Sequence, residues 1–283
     1  MPVLGCQGLN FIPYLKINIM KRIILLSICT IALLTLSCKE KKESILALTE
    51  NKENINASKI LFILSNASFY GNSEIEASNH FAEIVLAYDE FKKAGWVVDF
   101  VSPKGGEIPV GYLDTTSTTQ KKYLNNSEFM NLLKTTKSPK EINTSDYIAV
   151  YYGGGGAAMF GVPENIGIQN ISMAVYEENK GIISAVCHGS AGLAYLKTKD
   201  GEFLVANKKV NGYPDQFESM DDDYYATFPF SIEQKLKENG GDFRYSEEGW
   251  DDFSIEDGRL ITGQDPTAAR SVAKIVITKL QQL

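Results

Sequence analysis

From residue 59 onward, short apolar runs alternate with longer segments of helical periodicity. Continuous apolar runs rich in β-branched and aromatic residues are typical of strands buried on both faces of a parallel sheet. We predict strands at Lys59–Leu64, Trp96–Val101, Tyr147–Tyr152, Gly181–Val186 and Leu260–Thr262. We predict helices at about His80–Lys93, Ser127–Lys134, Ile168–Glu178 and Thr267–Leu280, with a polar insert at Thr115–Lys122. This alternation indicates an α/β fold in which helices cover both faces of a parallel sheet.

The apolar run that ends at Val186 stops abruptly at Cys187, and small residues follow. A strand that leads through a tight turn into a helix, with a nucleophilic side chain at the turn, is typical of a nucleophile elbow. Gly189, Ala191 and Gly192 would let that helix pass close to the strand. A helix N-terminus directed at the sulfur favours thiolate, so we expect a lowered thiol pKa. The alternative is that Cys187 is a small apolar residue of the core.

Two neighbouring features favour a reactive site over a core cysteine. His188 adjoins the cysteine, and the predicted strand that ends at Tyr152 is followed by the glycine run 153–156. The carboxyl ends of parallel strands share one edge of the sheet, so this run should lie near Cys187. Backbone N–H groups there could stabilise an oxyanion, and we expect the donors to be Gly154, Gly155 and His188. The alternative for the glycine run is a flexible turn.

The composition excludes several classes of function. The chain has 28 basic and 35 acidic residues, with a formal net charge of −7 and no basic cluster in the predicted domain. Nucleic acid and anionic membrane surfaces are therefore poor candidate partners. Only one of the four cysteines, Cys187, follows residue 38, so we expect no disulfide within the domain. With His80 and His188 as the only histidines, we expect no Cys/His zinc site.

The segment before the domain has the pattern of an export signal. Basic residues follow Met20, an apolar run covers Ile23–Leu36, and Ser37 precedes Cys38. This pattern is typical of a bacterial lipoprotein signal over residues 20–38, cleaved ahead of a lipidated Cys38, with an uncleaved membrane anchor as the alternative. Residues 1–19 would then be an over-called start, and the charged residues 39–57 a flexible tether. We therefore expect domain 58–283 to be exported and lipid-anchored in the bacterial envelope, facing the periplasm.

Four motifs occur in a characteristic order along residues 58–283. They are Ser102–Gly106, the glycine run with Met159-Phe160 and Val162-Pro163, Ala185–Leu193, and Asp257–Pro266. Together they resemble the ThiJ/PfpI superfamily, which includes the parkinsonism-associated deglycase. Within it, the chain is most similar to the heat-shock-chaperone branch, whose members are glutathione-independent glyoxalases (glyoxalase III). The resemblance implies a flavodoxin-like fold, a reaction without metal or organic cofactor, and a possible homodimer.

The resemblance also assigns roles to individual residues. It implies that Cys187 is the nucleophile, that His188 is its adjacent histidine, and that Glu83 is the pocket glutamate. A protonated Glu83 would donate a hydrogen bond to the sulfur, although helical spacing alone puts this residue on a solvent-facing stripe. The acidic partner that orients His188 is expected to be Glu218, with Asp215 as the second candidate.

Three hypotheses for the function follow. The resemblance implies a cysteine-dependent enzyme that acts on small reactive carbonyls and converts methylglyoxal to lactate. The first alternative is a cysteine amidase or peptidase, although the absence of a histidine after His188 argues against amidotransferase chemistry. The second is a stress chaperone or thiol-oxidation sensor without turnover; a chaperone would need an exposed apolar patch, for which Tyr224-Tyr225 and Phe228–Phe230 are candidates. The chain departs from the usual pattern of the branch at Gly155, Gly161 and Ser190, which flank the nucleophile and leave it in place.

Overall fold

The computed structural model describes residues 58–282. Its strands are β1 (Lys59–Ile63), β2 (Asn79–His80), β3 (Val98–Val101), β4 (Val110–Gly111), β5 (Tyr147–Tyr152), β6 (Ile182–Val186), β7 (Lys209–Val210), β8 (Asp242–Phe243), β9 (Ser254–Asp257) and β10 (Leu260–Gly263). Its α-helices are α1 (Phe81–Lys93), α2 (Thr118–Leu124), α3 (Ser127–Lys134), α4 (Ile166–Glu177), α5 (Ile232–Glu238) and α6 (Ala269–Leu280). Short 3₁₀ segments connect several of these elements.

A six-stranded sheet in the order β3-β1-β5-β6-β10-β9 forms the centre of the domain. Every neighbouring pair is parallel except β10 and β9, which are antiparallel. The parallel strands follow the order 2-1-3-4-5 of flavodoxin-like folds. This confirms the predicted fold class; the antiparallel edge strand β9 was not predicted.

Successive residues of the central strands pack into two separate apolar cores, one on each face of the sheet. On one face, Phe62 of β1 packs with Phe91 of α1 and Val272 of α6. On the other face, Leu61 packs in the same core as Ile171 of α4. Because both faces are covered, the strands need apolar side chains at every position, and this is why they were visible as continuous apolar runs.

The predicted boundaries are close to those observed, with two informative differences. The helix at Ser127–Lys134 and the strand at Tyr147–Tyr152 have the predicted limits. By contrast, α2 begins inside the predicted polar insert, because the Ser117 side chain caps it by accepting a hydrogen bond from the Gln120 N–H. The strand expected to start at Trp96 starts two residues later, at Val98, the first residue of β3. The two-residue strands β2, β4, β7 and β8 and the helix α5 were missed, since such short elements carry no readable periodicity.

The predictions for the leading segment fall on residues that the structure does not describe. The over-called start, the signal at 20–38, the lipidated Cys38 and the tether at 39–57 all lie outside residues 58–282. Within the described range, no helix is both long enough and apolar enough to cross a bilayer.

Candidate active site

Cys187 lies directly after β6, at the carboxyl edge of the sheet, in a strained backbone conformation. Its φ of 55° is in the left-handed region, which non-glycine residues rarely adopt outside functional sites. The chain continues as a helix, as predicted, but this helix is a 3₁₀ helix over Cys187–Leu193. Gly189 and Gly192 hold this segment tightly against β5: a Cβ atom on either would lie 2.4 Å from the Tyr152 carbonyl oxygen or ring, respectively. The elbow thus combines strain with very close packing.

The side chain of His188 connects the thiol to a buried carboxylate. Its Nδ1 lies 3.4 Å from Cys187 Sγ, and its Nε2 lies 2.8 Å from Glu218 Oε1. If Nε2–H donates to Glu218, Nδ1 is the acceptor that faces the thiol. Asp215 is instead hydrogen-bonded to Ser231. Glu218, and not Asp215, is therefore the partner of His188, and the arrangement has the order of a nucleophile, base and orienting acid.

Glu83 contacts the cysteine from α1. It is fully buried; its Oε2 accepts a 2.7 Å hydrogen bond from the Gly154 N–H, and its carboxyl group interacts with the Cys187 thiol. Burial raises the pKa of Glu83 to about 8, although the bond from Gly154 acts in the opposite direction. The carboxyl is therefore protonated at neutral pH and able to donate a proton. The solvent-facing position that helical spacing predicted for Glu83 is wrong, because this end of α1 packs under the sheet edge.

The thiol of Cys187 does not have the lowered pKa predicted from an elbow helix. Burial raises its pKa well above the usual range, and the Glu83 carboxyl beside it would act in the same direction once it ionises. Only the backbone N–H of His188, which points at the sulfur, opposes these effects. The prediction failed because the sulfur is buried and the segment after it is a short 3₁₀ helix. Cys187 therefore rests as a thiol, and its proton must leave when it attacks.

Two of the three expected oxyanion donors are already engaged. The Gly154 N–H donates to Glu83, and the His188 N–H is directed at the sulfur. A side chain at Gly154 would be 2.7 Å from Glu83 Oε2 and 2.8 Å from the Val186 carbonyl oxygen. Gly154 is thus a structural residue that fixes Glu83. Gly155, with a φ of 92°, borders the open space beside the thiol and stays a candidate donor.

That open space is a cavity of about 260 Å³. The lining residues are Tyr70, His80, Tyr112, Gly155, Cys187, His188, Tyr213, Glu218, Tyr224, Trp250 and Pro266. The place of Tyr70, Tyr112 and Trp250 in this cavity was not predicted, because they lie in segments without a periodic pattern, and His80, in the short strand β2, was not predicted to line it either. The one available signal was that His80 precedes Glu83 by a single helical turn.

Comparison with known proteins agrees with this geometry. The DJ-1/PfpI family description matches residues 77–279. The chain belongs to the DJ-1/PfpI family. It is 33% identical over 203 residues to the glutathione-independent glyoxalase HSP31 of Saccharomyces cerevisiae, covering 68% of this chain and 84% of that protein.

Two solved structures have a similar fold. The glyoxalase III of Candida albicans superposes with a TM-score of 0.71 at 26% identity, covering 79% of this chain and 97% of that one. The Rapid Encystment Protein 24 KDa of Francisella tularensis superposes with a TM-score of 0.73 at 27% identity, covering 79% and 99%. The fold therefore extends over the whole described domain.

Of Gly155, Gly161 and Ser190, which we expect to depart from the usual pattern of the glyoxalase branch, only Gly155 lines the cavity. Ser190 is buried behind the elbow, and Gly161 lies on the loop after the 3₁₀ segment that ends at Met159. Among residues 58–282, no group of three His, Cys, Asp or Glu side chains is arranged to hold a metal ion. The departures therefore leave the contacts between the nucleophile, Glu83 and Glu218 intact.

The aromatic patch considered for a chaperone is part of the wall of this site. Tyr224 and Phe228 are half-buried and pack on Tyr70, with ring centroids 5.1 and 6.0 Å away. Phe228 also meets the His188 ring edge-on at 5.7 Å. These two candidates for an exposed apolar patch are therefore half-buried and support the cavity.

Proposed function

We propose that this protein is a glutathione-independent glyoxalase that converts methylglyoxal and water to lactate at Cys187. One observation carries the proposal: the thiol lies between the His188–Glu218 pair and the buried, protonated Glu83, and it opens onto a cavity. The proposal is supported by the names of relatives in yeasts, which are glutathione-independent glyoxalases at about 30% identity.

The first step is addition of the thiol to the aldehyde carbon. The C–S bond forms while His188 Nδ1 takes the thiol proton, and a proton is returned to the aldehyde oxygen, giving a hemithioacetal. The Gly155 N–H borders the cavity in which that oxygen would lie, and Glu83, which contacts the sulfur, is the acid that would supply a proton. His188 is suited to this role because Glu218 fixes its tautomer and stabilises the imidazolium.

The second stage moves hydrogen within the bound substrate. The proton on the former aldehyde carbon is removed and one is delivered to the neighbouring carbon, so the first carbon is oxidised to a thioester as the ketone is reduced to an alcohol. Glu83 and His188 are the two groups of the site able to carry this proton. Water then cleaves the C–S bond, which releases lactate and restores the thiol, so the sum is methylglyoxal plus water giving lactate.

The test is lactate formation from methylglyoxal by the purified protein and three variants. Cys187→Ala should remove turnover, and Glu83→Gln should lower kcat by about 100-fold or more, because it removes a proton carrier. Ser190→Ala is the matched control, since this buried hydroxyl next to the elbow has no hydrogen-bond partner and does not line the cavity. An inactive wild type would refute the proposal. Turnover by Cys187→Ala would refute the mechanism.

A cysteine amidase or peptidase is the second candidate, because a Cys–His–Glu arrangement also suits acyl transfer. In that reaction Cys187 would attack an amide carbonyl and form an acyl-enzyme with release of ammonia or a peptide amine. Measuring ammonia and peptide release beside lactate separates the candidates. Amide cleavage that depends on Cys187, without lactate formation, would favour the hydrolase.

We also propose that the domain works in the bacterial envelope, held by a lipid on Cys38. The support is the sequence pattern of residues 20–38 alone. In cells given a clickable palmitate analogue, the full chain should be labelled and sediment with membranes, and Cys38→Ala should be unlabelled. Cys29→Ala is the matched control, since that cysteine lies within the apolar run. A homodimer is proposed from the family resemblance and is tested by sedimentation equilibrium of the purified protein.

A further inference from the structure

The cavity beside Cys187 is larger than methylglyoxal requires. Its volume of about 260 Å³ exceeds the roughly 150 Å³ of a protein cavity that holds benzene, whereas methylglyoxal has only five non-hydrogen atoms. Two large aromatic residues stand at its rim in full view of solvent, Tyr112 with 50% and Trp250 with 58% of its surface exposed. Large exposed aromatic rings beside a reactive group are typical of ligand contacts.

Both rim residues have a strained backbone. Tyr112 has a φ of 56° and Trp250 a φ of 55°, values that bulky residues rarely adopt. Left-handed backbone at non-glycine residues costs free energy, and it clusters at sites where the surroundings impose it for a function. The occurrence of this conformation at both exposed aromatic residues of one cavity argues that their positions serve a ligand.

Specific contacts hold each rim residue in place. The ring of Tyr112 stacks on the ring of His80, with centroids 4.6 Å apart and planes 2° from parallel, and its hydroxyl lies 3.4 Å from the Tyr70 hydroxyl. The backbone N–H of Trp250 donates a 2.8 Å hydrogen bond to Oδ2 of the buried Asp265. The Tyr112 ring and the backbone of Trp250 are therefore held in place before any ligand arrives, which lowers the entropic cost of binding against them.

The charges of the residues that line the cavity determine which ligands it favours. Among residues 58–282, no Lys or Arg lines the cavity, and the one acidic residue of the lining, Glu218, is bound to His188. Burial and the neighbouring His188 lower the pKa of His80 to about 4, so this imidazole is uncharged at neutral pH. An anionic substituent would find no cation here, whereas a planar uncharged one would find aromatic faces.

We propose that the site is built for aryl-substituted ketoaldehydes, with the aryl ring against Tyr112 and Trp250 and the aldehyde carbon at Cys187. This inference rests on the proposed glyoxalase function and names its substrate class. The chemistry is that described for methylglyoxal: addition of the thiol, transfer of the C–H proton to the neighbouring carbon, and hydrolysis of the thioester. With phenylglyoxal and water the product is mandelate.

The test compares kcat/KM for phenylglyoxal, cyclohexylglyoxal and methylglyoxal, with the hydroxy acid products measured by chromatography. Stacking on two rings predicts a kcat/KM for phenylglyoxal about tenfold above that for methylglyoxal. Cyclohexylglyoxal, of equal size but not aromatic, should fall at least about threefold below phenylglyoxal. A para-carboxylate on phenylglyoxal should cost about tenfold or more, because no cation lines the site.

Variants of the two rim residues test whether their rings cause the preference for phenylglyoxal. Trp250→Asn and Tyr112→Asn remove the rings while keeping a residue type that tolerates left-handed backbone, so both should fold. Each should lower the ratio of phenylglyoxal to methylglyoxal kcat/KM at least about threefold. Tyr195→Asn is the matched control, because Tyr195 is 37% exposed but lies outside the cavity lining, and this variant should keep the wild-type ratio.

The outcomes separate this inference from the function on which it rests. If neither substrate gives a hydroxy acid, the glyoxalase function fails. If methylglyoxal is converted and phenylglyoxal is not preferred, or if both Asn variants keep the wild-type ratio, the aryl substrate class is refuted while the function stands.

Discussion

His188 and Glu218 show how one short segment sets the chemistry of the elbow. The Glu218 carboxylate is almost fully buried, and its 2.8 Å contact with Nε2 determines which nitrogen of the imidazole faces the thiol. Since burial raises the pKa of Cys187, the reaction depends on a base that takes the thiol proton during attack. Glu218, which orients the imidazole, is therefore as important for the reaction as His188 itself.

Glu218→Gln should lower kcat for lactate formation by about 100-fold, because the amide no longer stabilises the imidazolium formed when the thiol proton leaves. Asp215→Asn is the matched control: this acidic residue lies three positions earlier but is hydrogen-bonded to Ser231 instead of the imidazole. The kcat of both variants is measured in the steady state with methylglyoxal. Equal losses in the two variants would contradict the assignment of Glu218.

At the scale of elements, the site depends on how the loop after β5 meets α1 and the elbow. Gly154 lies at that junction: its N–H bonds to Glu83, and its carbonyl accepts the His80 N–H at 2.9 Å. The glycine is needed for close approach, since its neighbours would be within 2.8 Å of an added Cβ. The loop after β5 thus positions Glu83 in the site.

Gly154→Ala should therefore destabilise the fold by about 3 kcal/mol, because backbone atoms of Val186 and Gly189 cannot move away without shifting the elbow. Gly258→Ala is the control: its Cβ would meet open space, and its φ of 60° predicts a cost of only about 1 kcal/mol. Urea unfolding of both variants gives the comparison. A Gly154→Ala protein as stable as Gly258→Ala would contradict the packing described.

At the scale of the whole molecule, the buried Glu83 makes folding stability depend on pH. Its folded pKa of about 8 lies above the ordinary value of 4.5, so the unfolded chain releases this proton first as pH rises. The contribution of the Glu83 proton to the free energy of unfolding is complete below about pH 4.5. It is lost as the pH rises through 8, and it amounts to at most about 5 kcal/mol.

Glu83→Gln should remove this dependence, since the amide does not titrate. Relative to wild type, the variant should gain stability between pH 5 and pH 9 by several kcal/mol, up to the limit of about 5. Urea unfolding midpoints at both pH values measure the difference. If the two proteins changed in parallel over this range, the carboxyl would not be buried in its neutral form.

The sequence was sufficient to predict strands that are buried on both faces. It was not sufficient to predict contacts between residues far apart in the chain. Strand Tyr147–Tyr152 was predicted to the residue because both of its faces are buried, and Glu218 was preferred to Asp215 from its spacing in the family motif. The bond from Gly154 to Glu83 joins residues 71 positions apart, and no local pattern encodes it. The raised pKa of Cys187 depends on that same packing, so it could not be predicted either.

The left-handed backbone of Cys187 has an evolutionary consequence. A non-glycine residue in this conformation costs about 1–2 kcal/mol relative to glycine, so folding alone would favour glycine at this position. Cysteine there is maintained only while selection acts on its sulfur. Lineages of this fold that lose the reaction should therefore drift to glycine or asparagine at the elbow, and the residue found there reports whether a descendant still carries out thiol chemistry.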